Sequence, residues 1–91
     1  MVRVSDLGTM FKKGVKRGTA SNMNIVDGKH FTYLVDYGWA VLAKRSKVSG
    51  KIVYYSGWDG YSPTTSKHIS QAGLRHGTIV KKEAKKLSDV M

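Results

Sequence analysis

Leu7, Phe11 and Val15 recur at four-residue spacing with Met10 beside them, the apolar stripe of a helix with one buried side. Lys12, Lys13 and Lys16 fall on the opposite side. The pattern predicts a helix over 6–17. Ser5 serves as its cap, and Asp6 sits in the first turn, where a carboxylate suits the helix dipole. Arg17 lies in the last turn, and Gly18 offers a left-handed stop. Gly8 and Gly14 each cost about 1 kcal/mol against alanine inside a helix, so this helix depends on tertiary packing.

From Met23 the period becomes two. Met23 and Ile25 alternate with polar neighbours, and Asp27-Gly28 is a hairpin signal. Phe31, Tyr33 and Val35 then alternate with His30, Thr32 and Leu34. Tyr37-Gly38 marks a second reversal, and Trp39, Val41 and Ala43 open another strand. After a polar connection over 46–50, residues 51–55 form a fourth, in which alternation turns one of Tyr54 and Tyr55 inward. Short links between these strands make an antiparallel meander the economical topology.

A glycine-punctuated loop, 56–61, leads to Ser62-Pro63, the cap and first position of a second helix that ends at Gly73 or Gly77. In the tail, Val80, Ala84, Leu87 and Met91 share one side, with Lys81, Lys82, Lys85 and Lys86 mostly on the other. Two readings stand: a helix, or a short strand at Ile79-Val80 ahead of one. The expected class is α+β, with an N-terminal helix, a four-stranded antiparallel meander and one or two C-terminal helices on one sheet face.

Length and composition narrow this only a little. Ninety-one residues make one small domain with a thin core. The absence of cysteine excludes disulfides and thiolate metal sites. No apolar run approaches the roughly 20 residues of a membrane span. The start, Met1-Val2-Arg3-Val4-Ser5-Asp6, lacks a secretory leader, so a cytosolic protein is expected.

Charge changes the picture most. Sixteen Lys and Arg against six Asp and Glu give a net charge of +10. Such a surplus repels itself in the compact state and points to a polyanionic partner. A membrane surface is disfavoured, because the basic segments lack a bulky apolar face.

Catalysis finds little support. His30, His68 and His76 lie on three separate elements, without the paired spacing of a metal site. The carboxylates are scattered. The glycines of 57–60 lack the lysine and hydroxyl of a phosphate-cradling loop. His68, beside Lys67 and near Tyr61, is the one cluster that suits a metal-independent ribonuclease, and a histidine on a capped helix is more often structural. The expectation is no catalysis, no cofactor and no metal.

Binding features are denser. Lys44, Arg45, Lys47 and Lys51 crowd one hairpin end, with Tyr54, Tyr55, Trp58 and Tyr61 close behind. Cations neutralise phosphates, and aromatic rings stack unpaired bases, although about half of such a set belongs to the core. Thr64, Thr65 and Ser66 join Ser62 at a helix start, more hydroxyls than capping needs, and Lys67 follows, a combination suited to an anion.

Ala20-Ser21-Asn22-Met23, then Tyr37-Gly38 with Ala40 and Ala43 behind it, then Tyr61-Ser62-x-Thr64-Thr65-Ser66-x-His68, together resemble a small domain family of tailed-phage and prophage genomes. The resemblance spans 20–71. It implies a phage or prophage origin and hence a bacterial cytoplasm. It also implies that Ser21, Asn22, Tyr61, Thr64, Thr65, Ser66 and His68 form one recurring site or structural knot. It carries no function with it.

The favoured function is non-sequence-specific binding of DNA or RNA. The expected contacts are Lys12, Lys13, Lys16, Lys44, Arg45, Lys47, Lys51 and Lys67, aided by Tyr55, Trp58, Tyr61, Thr64, Thr65, Ser66 and His68. The alternative is a phage protein that docks on an acidic host protein and modulates it.

Overall fold

The computed structural model describes residues 2–91. Helix α1 runs Val4–Lys12, followed by β1 (Gly18–Ala20), β2 (Met23–Asp27), β3 (Phe31–Asp36), β4 (Ala40–Ser46) and β5 (Ile52–Tyr55). A 3₁₀ turn at Ser56–Trp58 leads to α2 (Pro63–Gln71), then β6 (Ile79–Lys81), β7 (Lys85–Lys86) and α3 (Leu87–Val90). The fold is α+β. Strands β2 to β5 are the expected meander, each antiparallel to the next. The sheet is wider than four strands: β1 pairs with β2, β6 pairs parallel to β5, and β7 pairs with the end of β4 that β5 leaves. The tail thus follows the second of its two readings, a strand at Ile79–Lys81 ahead of a short helix.

Register assigns the two faces. Ile25, Leu34, Ala43 and Tyr54 are cross-strand partners and share one face. α1 packs there through Leu7 and Phe11, both fully buried, and crosses α2 so closely that a Cβ on Gly8 would strike the Ala72 backbone. Gly8 therefore exchanges helix propensity for a close helix crossing. The opposite face carries Val26, Tyr33, Lys44 and Val53. There the expectation of helices on one face fails. The C-terminal segment wraps behind the sheet, and the Tyr33 hydroxyl donates to the Val90 carbonyl at 3.4 Å. With both faces covered, Tyr54 and Tyr55 are both buried, where simple alternation left one of them outside. A bulge opposite Leu34/Val35 puts Val41 and Ala43 on opposite faces, so the Trp39-Val41-Ala43 alternation does not survive.

α1 is shorter than its apolar stripe. Its cap is Arg3, whose backbone N–H donates to the Asp6 carboxylate at 3.3 Å. Gly14, at φ +88°, ends it four residues before Gly18. The Gly14 N–H donates to the Phe11 carbonyl and the Val15 N–H to that of Met10, the paired closing bonds of a left-handed helix stop. Val15, beyond that stop, is exposed. α2 follows its sequence signals: Ser62 Oγ accepts from the Thr65 N–H at 3.1 Å, and Gly73 closes the helix.

Candidate functional site

Cations from three elements meet at one end of the sheet. The C-cap of α1 brings Lys13 and the link to β1 brings Lys16 and Arg17, the β2–β3 turn brings Lys29, and the β4–β5 turn brings Lys47 and Lys51. Their contacts tie these segments together. Lys47 pairs with Asp27 and donates its backbone N–H to the His30 carbonyl at 3.0 Å. Asp27 is held below the usual carboxylate range, first by its hydrogen bond to Lys47 and further by the charges of Lys16 and Arg17. Asp27 is the acidic side chain paired within this group, and Asp89 lies on α3 beside Val90, which packs near Lys29 and His30. Asp6 lies in the first turn of α1 and Asp36 at the far end of β3, and the other acids follow residue 58.

Two of the expected contact residues are occupied beneath this surface. Arg45 Nε donates to the Lys12 carbonyl at 3.2 Å, and its guanidinium lies where a Cβ on Gly14 or Gly50 would be. It thus closes the α1 terminus against the β4–β5 turn. Lys12 Nζ donates to the Gly73 carbonyl at 2.6 Å, capping α2 in the same way. Cations at helix C-termini satisfy free carbonyls and oppose the dipole. Lys44 is also diverted: its Nζ sits 4.5 Å from the centre of the Phe31 ring and 6.0 Å from that of Tyr55, on the face behind the sheet.

Tyr37, Trp39, Trp58 and Tyr61 collect at the other end, about 20 Å away along the six residues of β3. Trp58 is only 4% exposed, whereas Trp39 is 37% and Tyr61 57% exposed. Trp39 and Tyr61 meet Trp58 edge-to-face at 5.3 and 5.2 Å, and Tyr37 stacks on Trp39 at 6.4 Å. Trp58 is anchored by its indole N–H, which donates to the Lys85 carbonyl at 3.0 Å. Trp58 and Tyr61, close in the sequence to Lys47 and Lys51, are therefore set apart from them in the fold.

The helix start at 61–68 is mostly internal architecture. Ser62 Oγ donates to Thr65 Oγ1 at 3.0 Å, and Ser66 Oγ accepts from the Gly60 N–H at 2.8 Å. Thr65 and His68 are buried, and His68 Nδ1 lies 2.9 Å from an oxygen of Asp36, itself fully buried. The other Asp36 oxygen accepts from the Tyr37 N–H at 3.1 Å, and that N–H also meets the Asn22 carbonyl at 2.8 Å. The Ser21-Asn22 turn, the Tyr37-Gly38 turn and α2 are knotted together through these bonds. Tyr55, Trp58, Thr65 and His68 are thus buried rather than presented on the surface. Thr64 and Lys67 remain exposed on α2, Ser66 half-buried.

Sequence reasoning passed over Arg17 and Lys29 as contacts, because only strand register brings them beside Lys47. It also passed over Tyr37 and Trp39. The available signal was Tyr37-Gly38 itself, a hairpin turn with tyrosine where asparagine is preferred. Among the described residues no cluster of three or more metal-ligating side chains occurs, and no helix is long and apolar enough to cross a membrane. Comparison with protein-family models, curated proteins and solved structures gives no match.

Proposed function

We propose that the protein binds nucleic acid through the basic end of its sheet, mainly by phosphate contacts and without sequence specificity. The observation that carries this reading is the placing of Lys16, Arg17 and Lys47 about the Asp27 carboxylate, with Lys13, Lys29 and Lys51 on the adjoining α1 stop and strand turns. Such a cluster repels itself unless a polyanion neutralises it. Its cations lie on the α1 stop, the link to β1 and two turns, positions suited to a phosphate backbone, and among the described residues no recognition helix projects to read base edges. Lys12 and Arg45 hold these segments in place beneath the contact surface.

The test is the salt dependence of binding to duplex DNA. With about 4 to 6 phosphates neutralised, log affinity falls linearly with log salt, by about 0.9 per phosphate. Replacing Lys16, Arg17 and Lys51 with serine lowers affinity about tenfold or more and flattens that slope. The melting temperature moves little, since exposed changes usually cost under about 0.5 kcal/mol each. A flat salt response, or retention of partners by nuclease-treated lysate, removes nucleic acid and favours an acidic host protein.

A further inference from the structure

Tyr37 holds a left-handed conformation, φ +57°, in the first central position of the β3–β4 turn, with Gly38 at +77° in the second. The Trp39 N–H closes the turn onto the Asp36 carbonyl at 3.2 Å. Both central residues of this turn type need positive φ, and a bulky aromatic there is strained. Turn geometry alone therefore gives no reason for tyrosine. The ring it projects is exposed and stacks on Trp39, interplanar angle 27°.

Beside Trp39 an open depression of about 750 Å³ runs over Val26, Lys86 and Leu87 to Met91. A second, of about 450 Å³, continues from Met91 past Tyr33 to Lys29 and His30. Both are lined by Met91, so they lie side by side behind the sheet, one beside Trp39 and the other beside Lys29 and His30. Among the described residues no side-chain carboxylate lines either depression. The neighbouring acid, Asp89, is turned onto the Lys86 backbone N–H at 2.9 Å.

We propose that this path takes a single-stranded nucleic acid, with an unpaired base stacked on the Tyr37–Trp39–Tyr61 ledge and its phosphates passing Lys86 towards Lys29. Exposed rings supply the base platform and flanking lysines the charge, the combination that binds single strands without regard to sequence. A duplex, whose bases are already stacked, uses the basic end alone. The proposal rests on the nucleic-acid reading above and goes beyond it in naming strandedness and a second contact area.

Of the protein's two tryptophans, Trp39 lies in this ledge and Trp58 is buried against it at 5.3 Å, so intrinsic fluorescence reports on the ledge. The experiment titrates the full chain with a ten-nucleotide oligothymidylate and with a duplex of the same length. The expected result is quenching by the single strand and little by the duplex. Trp39→Ala weakens single-strand binding about tenfold, within the range of one lost stacking contact, and leaves duplex affinity unchanged. Tyr37→Asn suits the turn better than tyrosine, and it weakens single-strand binding in the same direction without a folding defect. About six stacked nucleotides span the 20 Å between the ends, so affinity rises steeply with strand length up to that point. If duplex binding is salt-dependent and lost in the Lys16, Arg17 and Lys51 variant, while Trp39→Ala and Tyr37→Asn bind single strands like the parent, the ledge proposal falls and the basic-end reading stands. If neither strand form binds, both fall.

Discussion

Thr32 is fully enclosed near the start of β3, and its hydroxyl has no hydrogen-bond partner among the described residues. An enclosed hydroxyl without a partner costs roughly 1–3 kcal/mol. Thr32→Val keeps the shape and removes the polar atom, so it is expected to raise stability by about 1 kcal/mol in urea unfolding. An unchanged or lower midpoint would contradict this account of the site. Tyr37 poses the converse case, a residue placed against local preference. Tyr37→Asn is expected to stabilise the isolated fold by about 0.5–1 kcal/mol, because asparagine tolerates positive φ far better. Lower stability for that variant would mean that stacking on Trp39 outweighs the turn strain.

At the scale of elements, α2 is held to the sheet by one buried polar contact and two helix stops. The Asp36–His68 contact joins β3 to α2 within the core. Removing one partner leaves the other enclosed without its bond. His68→Ala is therefore expected to cost about 2–3 kcal/mol. The Asp36→Ala and His68→Ala double variant should cost clearly less than the two singles summed, since both remove the same contact. Additive costs would show that the pair does not act as a unit. Lys12 belongs to the same scale, because its ammonium bridges the ends of α1 and α2. Lys12→Met is expected to cost about 1–2 kcal/mol, whereas Lys16→Met, on an exposed side chain, should cost almost nothing by the same unfolding measurement.

For the whole molecule, charge governs the pH response. Asp59 accepts three hydrogen bonds from the Arg75 guanidinium at 2.9 to 3.1 Å. Arg75 holds the Asp59 carboxyl below its ordinary value of 3.8, as Lys47 does for Asp27. Both carboxyls titrate lower in the folded state than in the unfolded one. Their stabilisation is therefore complete above the ordinary carboxylate range and lost as pH falls through the depressed folded values. Thermal melts should show stability level near neutrality and declining below about pH 4, with a shallower decline for Asp59→Asn. Protonating these acids also raises a net charge already at +10, so added salt should recover part of the loss at low pH by screening.

Ser62-Pro63 and the alternation of β2 were legible because their causes are local. A hydroxyl bonds a backbone N–H three residues on, and pleating sets the period of two. The basic surplus and the hairpin turns were equally plain in the residues. The tertiary structure alone decided which cations are free. Lys12 and Arg45 look like Lys16 and Lys47 in the sequence, but their carbonyl partners lie 61 and 33 positions away. It likewise buried His68 against Asp36, 32 positions distant, and covered the second sheet face with a tail that had two readings. The aromatic ledge arose in the same way. Tyr37 and Trp39 come from one turn, Trp58 and Tyr61 from another segment, and only the packed sheet sets their rings in contact. Local geometry follows from the chain itself, whereas the pairing of distant polar groups and rings requires the three-dimensional fold.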